Sequence, residues 1–149
     1  MDRKNLDRVI NEEISSLPSI SANDVKGKFD LIQEIRKEID DAEIHLDELR
    51  MHLRHAIEEY NAALAMALRK RVPRLSVSLD NGRCNTAYRS TNLSCWPDVN
   101  NGHWQFEPNR FGRSFMRRNA HLLPLSNQID PLVDAIVNYF AGRYRTVNA

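Results

Sequence analysis

Ile32-Gln33-Glu34-Ile35-Arg36-Lys37-Glu38-Ile39-Asp40-Asp41-Ala42-Glu43-Ile44-His45-Leu46-Asp47-Glu48-Leu49 decides the reading of this chain. Its apolar residues fall alternately three and four apart. The seam continues as Ile32, Ile35, Ile39, Ala42, Leu46, Leu49, Leu53, Ala56, Tyr60, Ala63 and Ala67 without a fault. With Ile32 at a, the a positions are mostly Ile and Leu, while Ala42, Ala56 and Ala63 occupy d. Such a sustained heptad predicts a coiled-coil helix from about Asp24 to Arg71. At about 1.5 Å per residue it would run roughly 70 Å. A lone helix of that kind leaves its seam in water, so the seam predicts a partner. The expected oligomerisation residues are Ile32, Ile35, Ile39, Ala42, Leu46, Leu49, Leu53, Ala56 and Tyr60.

The flanks do not favour a simple parallel homodimer. Glu38 at g would meet Glu43 at e of its mate, and His45 would meet Arg50. Antiparallel, hairpin and higher-order pairings therefore all carry weight. Upstream, Leu6, Val9, Ile10, Ile14 and Leu17 suggest a short amphipathic helix over Arg3–Ser16, ended by Pro18. That helix could fold back over part of the seam. Ser21 followed by Asp24 has the form of a capping box, with Asn23 as a competing N-cap.

Beyond Ala56 the apolar face widens to include Ile57, Leu64, Met66 and Leu68, the pattern of a helix entering a globular core. Arg69-Lys70-Arg71 suits a helix C-terminus, and Pro73 ends it. Leu75, Val77 and Leu79 then alternate with polar residues, and Asn81-Gly82 predicts a tight hairpin. The predicted register sets Leu79 opposite Cys84, Val77 opposite Thr86 and Leu75 opposite Tyr88. Asn101-Gly102 predicts a second hairpin of the same kind, with Val99 opposite Trp104 and Trp96 near Glu107. Pro97 implies that one of its strands is an edge or bent. Asn109–Asn119 reads as a basic loop or a further strand, with the strand placed at Ser114–Arg117. Asp130-Pro131 reads as an N-cap and first helical residue. Leu132, Val133, Ile136, Val137 and Phe140 form an apolar stripe, and Gly142 is the expected left-handed C-cap.

The expected architecture is α+β: a short helix and linker (1–22), a long oligomerisation helix (23–72), and a small basic head (73–149). The head would hold about four antiparallel strands and a C-terminal helix.

Charge is divided by position. Residues 1–67 carry 9 Lys+Arg against 15 Asp+Glu, and residues 68–149 carry 12 against 5. The near-neutral total of +1 therefore hides an acidic N-terminal part and an Arg-rich remainder. Eleven of the twelve cations in that remainder are Arg, whose planar fork suits phosphate or carboxylate. They are Arg69, Arg71, Arg74, Arg83, Arg89, Arg110, Arg113, Arg117, Arg118, Arg143 and Arg145. Several adjoin Tyr88, Phe111, Phe115 or Tyr144, and Arg interleaved with aromatics suits phosphate contact plus base stacking. The expected contact set is Arg71, Arg74, Arg89, Arg110, Phe111, Arg113, Phe115, Arg117 and Arg118. The densest stretch, Arg110–Arg118, does not follow the aromatic–Gly–aromatic order of an RRM strand. A solvated basic surface is the bland alternative.

Other chemistry finds little support. Cys84, Cys95, His103 and His121 lack zinc-ligand spacing, so no metal is expected. His45 and His52 flank the seam and read as solvated, although a pH-sensitive oligomer is conceivable. Trp96 and Trp104 read as packing residues, with base stacking as the sharper option. The five glycines form no phosphate loop or dinucleotide fingerprint, so neither a cofactor nor an enzymatic activity is expected. No apolar run approaches the ~20 residues of a membrane span. With no export signal evident, the two thiols are expected reduced and the chain cytoplasmic.

The leading expectation is a non-enzymatic homo-oligomer that binds nucleic acid, single strands favoured. The alternative is a coiled-coil adaptor or scaffold whose basic head docks on an acidic protein.

Overall fold

A computed structural model describes Lys4, Asn5, Arg8 and residues 21–148. Helix α1 spans Ala22–Arg71. Its start is a reciprocal capping box: Ser21 Oγ accepts from the Asp24 N–H at 3.2 Å, and the Asp24 carboxylate accepts from the Ser21 N–H at 3.1 Å. Asn23 lies within the helix. Of the expected Arg3–Ser16 helix, Lys4, Asn5 and Arg8 are helical, and the rest lies outside the described residues.

The chain divides into two compact units, Met1–Glu48 and Leu49–Ala149, so the division falls inside α1. In the first unit the seam is open: Ile32, Ile35, Ile39, Ala42 and Leu46 are all exposed. In the second unit α1 buries Asn61, Leu64, Ala65 and Leu68 and leaves Leu49, Leu53, Ala56 and Ala63 exposed. At 3.6 residues per turn the buried stripe is centred roughly 110° around the helix from the seam. The globular unit therefore uses a face of α1 other than the seam. Tyr60 is the exception among the expected seam residues. Its ring centroid lies 5.2 Å from that of Trp104, and its hydroxyl donates to the Ser126 carbonyl at 2.8 Å.

Four antiparallel strands follow in the order β1-β2-β3-β4: β1 Ser76–Asp80, β2 Arg83–Tyr88, β3 Thr91–Asp98 and β4 His103–Phe106. The first hairpin has the predicted register, Leu79 to Cys84 and Val77 to Thr86. Asn81 (φ 51°) and Gly82 (φ 75°) both adopt the left-handed conformation that a type I′ turn requires. Leu75 is buried but precedes β1, so no Leu75–Tyr88 pair forms in the ladder.

The second hairpin corrects the expected register. Pro97 pairs with Trp104 and Trp96 with Gln105, not Val99 with Trp104. The connection is a four-residue loop, because Asp98 holds Asn101 through both its backbone N–H and its side-chain amide. Pro97 itself lies on β3, an interior strand, while the hairpin's other strand, β4, is an edge of the sheet. The Trp104 N–H turns away from β3 to the Leu123 carbonyl, which makes Pro97–Trp104 a non-hydrogen-bonded pair. The missing proline N–H thus faces the β2 side, past the last β2–β3 pair at Cys84–Cys95.

One sheet face carries Leu93, Cys84, Cys95, Trp104 and Phe106 into the core, with Thr86 buried beside them. Leu64 and Leu68 of α1 join it, together with Phe115 and the stripe Leu132, Val133, Ile136, Val137 and Phe140. The Phe106 and Phe115 centroids are 4.6 Å apart, and Phe115 meets Tyr139 edge-on. The Arg69 guanidinium donates to the Val77 carbonyl of β1 at 2.8 Å. At the other side of the sheet, His103 of β4 bridges to Pro124.

Arg110–Arg118 is a helix, α2, where the sequence reading placed a strand at Ser114–Arg117. Asn109 Oδ1 caps it by accepting from the Gly112 N–H at 2.7 Å, and Phe111 and Phe115 stand four residues apart on its inner side. Helix α3 spans Asp130–Arg143 with Pro131 in its first turn. Its cap position is Ile129, one residue before the expected Asp130. It runs through Gly142 without a left-handed residue there, and Tyr144 closes it by bonding back to Phe140. A helix, an antiparallel sheet and further helices, the last C-terminal, make the fold α+β.

Candidate nucleic-acid interface

The structure sorts the arginines into occupied and available. Arg69 is spent on the Val77 carbonyl and Arg71 on the Asp134 carboxylate of α3. Arg83 stacks 4.5 Å from the Trp96 centroid and lies 3.8 Å from Glu107. Phe115 is fully buried and offers no ring face to a base, which removes it from the expected contact set.

Four of the others come from four segments. Arg74 follows α1, Arg89 occupies the β2–β3 turn (φ 54°), Arg110 opens α2 and Arg143 closes α3. Arg74 Nη1 donates to the Thr146 carbonyl at 3.2 Å, and Arg89 Nη2 donates to the Thr146 hydroxyl at 3.3 Å. The Arg89 guanidinium sits 5.4 Å from the Tyr88 centroid and 5.5 Å from that of Tyr144. Tyr144 Oη lies 3.0 Å from both Ser90 Oγ and Thr91 Oγ1, and Thr91 Oγ1 accepts from Arg143 Nε at 3.0 Å. Arg143 and Arg110 share Phe111, 4.8 Å and 5.1 Å from its centroid.

The result is a connected row: Arg74, Thr146, Arg89, Tyr144, Arg143, Phe111, Arg110. Aromatic rings hold Arg89, Arg143 and Arg110 by cation–π contact, while Arg74 joins the row through Thr146. Among the described residues no carboxylate pairs with any of these four arginines. Arg113 and Arg117 extend the row, since positions 110, 113 and 117 share one face of α2, and both are exposed. Arg118 is exposed on the same helix.

Hydrogen bonds to neighbouring hydroxyls, with a smaller contribution from the arginines, act on the two tyrosines of the row. The hydrogen bond to Thr146, then the charges of Arg89 and Arg74, hold the Tyr88 hydroxyl below its ordinary range. The bonds to Ser90 and Thr91, then Arg143, do the same for Tyr144. The part contributed by Arg89, Arg74 and Arg143 is one that an external anion would also feel.

Sequence reasoning gathered Arg74, Arg89, Arg110 and Phe111 into the contact set and left out Arg143, Tyr144 and Thr146. The one available signal was Arg143-Tyr144-Arg145, a second Arg–aromatic cluster. Trp104 is core, while Trp96 lies on the opposite sheet face under Arg83. Cys84 and Cys95 are free thiols directly opposite each other and buried. The bond to Cys84, then burial, push the Cys95 thiol well up, while the same bond holds the Cys84 thiol below its ordinary value. No cluster of three His, Cys, Asp or Glu side chains suited to a metal occurs among the described residues.

Compared with known proteins, the chain matches no family model, no curated protein and no solved structure. Among the described residues no helix is long and apolar enough to cross a membrane. The functional reading therefore rests on the geometry alone.

Proposed function

We propose that this chain is a non-enzymatic, self-associating nucleic-acid-binding protein. The observation that carries the reading is the row Arg74–Arg89–Arg143–Arg110, four guanidiniums without a carboxylate partner among the described residues, spaced by Tyr144 and Phe111. Arg forks recognise phosphate oxygens, and the rings between them suit unstacked bases, so a single strand fits better than a duplex. Arg113, Arg117 and Arg118 continue the phosphate path along α2. The open seam of α1 supports self-association, and several weak sites on one oligomer would bind a long strand with avidity.

The test is fluorescence anisotropy with labelled single-stranded and duplex DNA and RNA at several salt concentrations. Saturable binding to single strands, with an affinity that falls by a log–log slope of about 0.7 per phosphate engaged, supports the reading. Absence of binding at low salt overturns it.

A further inference from the structure

The open seam of the Met1–Glu48 unit has a geometry that selects its occupant. We infer that it is covered by a second copy of this chain running antiparallel, with Ile39 of one copy against Ala42 of the other. The inference rests on the self-association part of the proposed function and adds its direction and register.

Three observations carry it. Large apolar residues stand unpartnered along the face: Ile35, Ile39 and Leu46 are 47 %, 51 % and 46 % exposed. Their sizes then oppose a parallel pair. In register, a parallel dimer would stack Ala42 on Ala42 at a d layer and leave a void between wide Ile and Leu layers. Reversing one helix places Ile39 on Ala42 and Ile35 on Leu46, twice each by symmetry, and every layer then contains a large residue.

The flanking charges choose the same solution. In a parallel dimer Glu38 faces Glu43. In the antiparallel pair e residues face e and g residues face g. With Ile39 on Ala42, Arg36 meets Glu43 and Glu38 meets His45, again twice each. His45 also lies 3.9 Å from Glu48 of its own helix. Sliding the mate by one heptad sets Arg36 against Arg36 in one direction and Glu43 against Glu43 in the other. Of these three registers only the central one sets Arg36 against Glu43.

The experiment is sedimentation equilibrium of the full chain and two variants, with circular dichroism to confirm helix content. Glu43→Arg creates an Arg–Arg clash in the antiparallel pair and should weaken dimerisation roughly tenfold, from two lost attractions and two gained repulsions. The charge swap Arg36→Glu/Glu43→Arg should restore it. A parallel pair responds in the opposite sense, because Glu43→Arg then relieves the clash with Glu38 and tightens association. Weakening with rescue supports the inference. Tightening, a trimer, or weakening without rescue overturns the direction while self-association stands. A monomer at every concentration overturns self-association and the inference together.

Discussion

Arg143 Nε donates to Thr91 Oγ1 at 3.0 Å, which pins the end of the last long helix to the start of β3. The guanidinium lies 4.8 Å from the Phe111 centroid, on an exposed residue. Because Arg89 and Arg143 are preordered by neutral groups and not by carboxylates, their charge remains to be used. Arg89→Ala and Arg143→Ala should each weaken single-strand binding and lower the salt slope by about 0.7. Arg71→Ala, which removes a cation already paired with Asp134, should leave the slope unchanged. Anisotropy titrations at three salt concentrations measure all three.

The same contacts make a spectroscopic prediction. Tyr88 and Tyr144 both have depressed folded-state pKa values, so each ionises earlier in the folded protein than in the unfolded chain. For an acid shifted this way the stability contribution is present above the unfolded pKa and lost as pH falls through the folded one. Ultraviolet absorbance should show two tyrosines titrating below the ordinary range. In Arg89→Ala and Arg143→Ala the Tyr88 and Tyr144 transitions, respectively, should move back up.

Gly112 sits where only a hydrogen fits. A methyl group there would drive into the backbone carbonyl of Glu107, which cannot swing away as a side chain can. Gly112→Ala should destabilise the Leu49–Ala149 unit by about 3 kcal/mol despite the better helix propensity of alanine. Urea denaturation would report it as a fall in midpoint. An unchanged midpoint would show that α2 does not approach Glu107 this closely.

Tyr60 stands at a seam position yet belongs to the globular unit. Tyr60→Phe loses the bond to the Ser126 carbonyl and should cost about 1 kcal/mol, while Tyr60→Ala also loses the Trp104 contact and should cost about 3 kcal/mol. Neither should change the association constant as strongly as Leu46→Ala. Urea titration and sedimentation of the same samples separate the two effects.

What the sequence disclosed follows from how local each signal is. The α1 heptad repeats over many turns, and Asn81-Gly82 fixes a register by its own backbone preference, so both were readable. The second hairpin was misread because Asn101-Gly102 resembles a two-residue turn, whereas the Asp98 side chain enlarges the loop to four. The stretch Arg110–Arg118 held two helical clues, Asn109 as a cap and Phe111 with Phe115 at a spacing of four, hidden by a dense run of cations. The arginine row could not be read at all, because it joins residues 74, 89, 110 and 143 through contacts that only tertiary folding creates. Even so, three of its four arginines stood in the expected set, since exposed Arg beside an aromatic is a local signature.

The two flanks of the sheet bear on solubility. On β1 the Val77 carbonyl points outward, where a strand from another molecule would dock, and the Arg69 guanidinium already occupies it. On β4 the Leu123–Leu125 segment takes the corresponding place, with Trp104 N–H bonded to Leu123 and Leu125 N–H bonded to Gly102. Each rim thus has outward backbone groups already engaged, one by a charge and one by a strap of chain. Were copies gathered through α1 as proposed, their sheets would sit at high local concentration, and these two contacts would oppose edge-to-edge pairing.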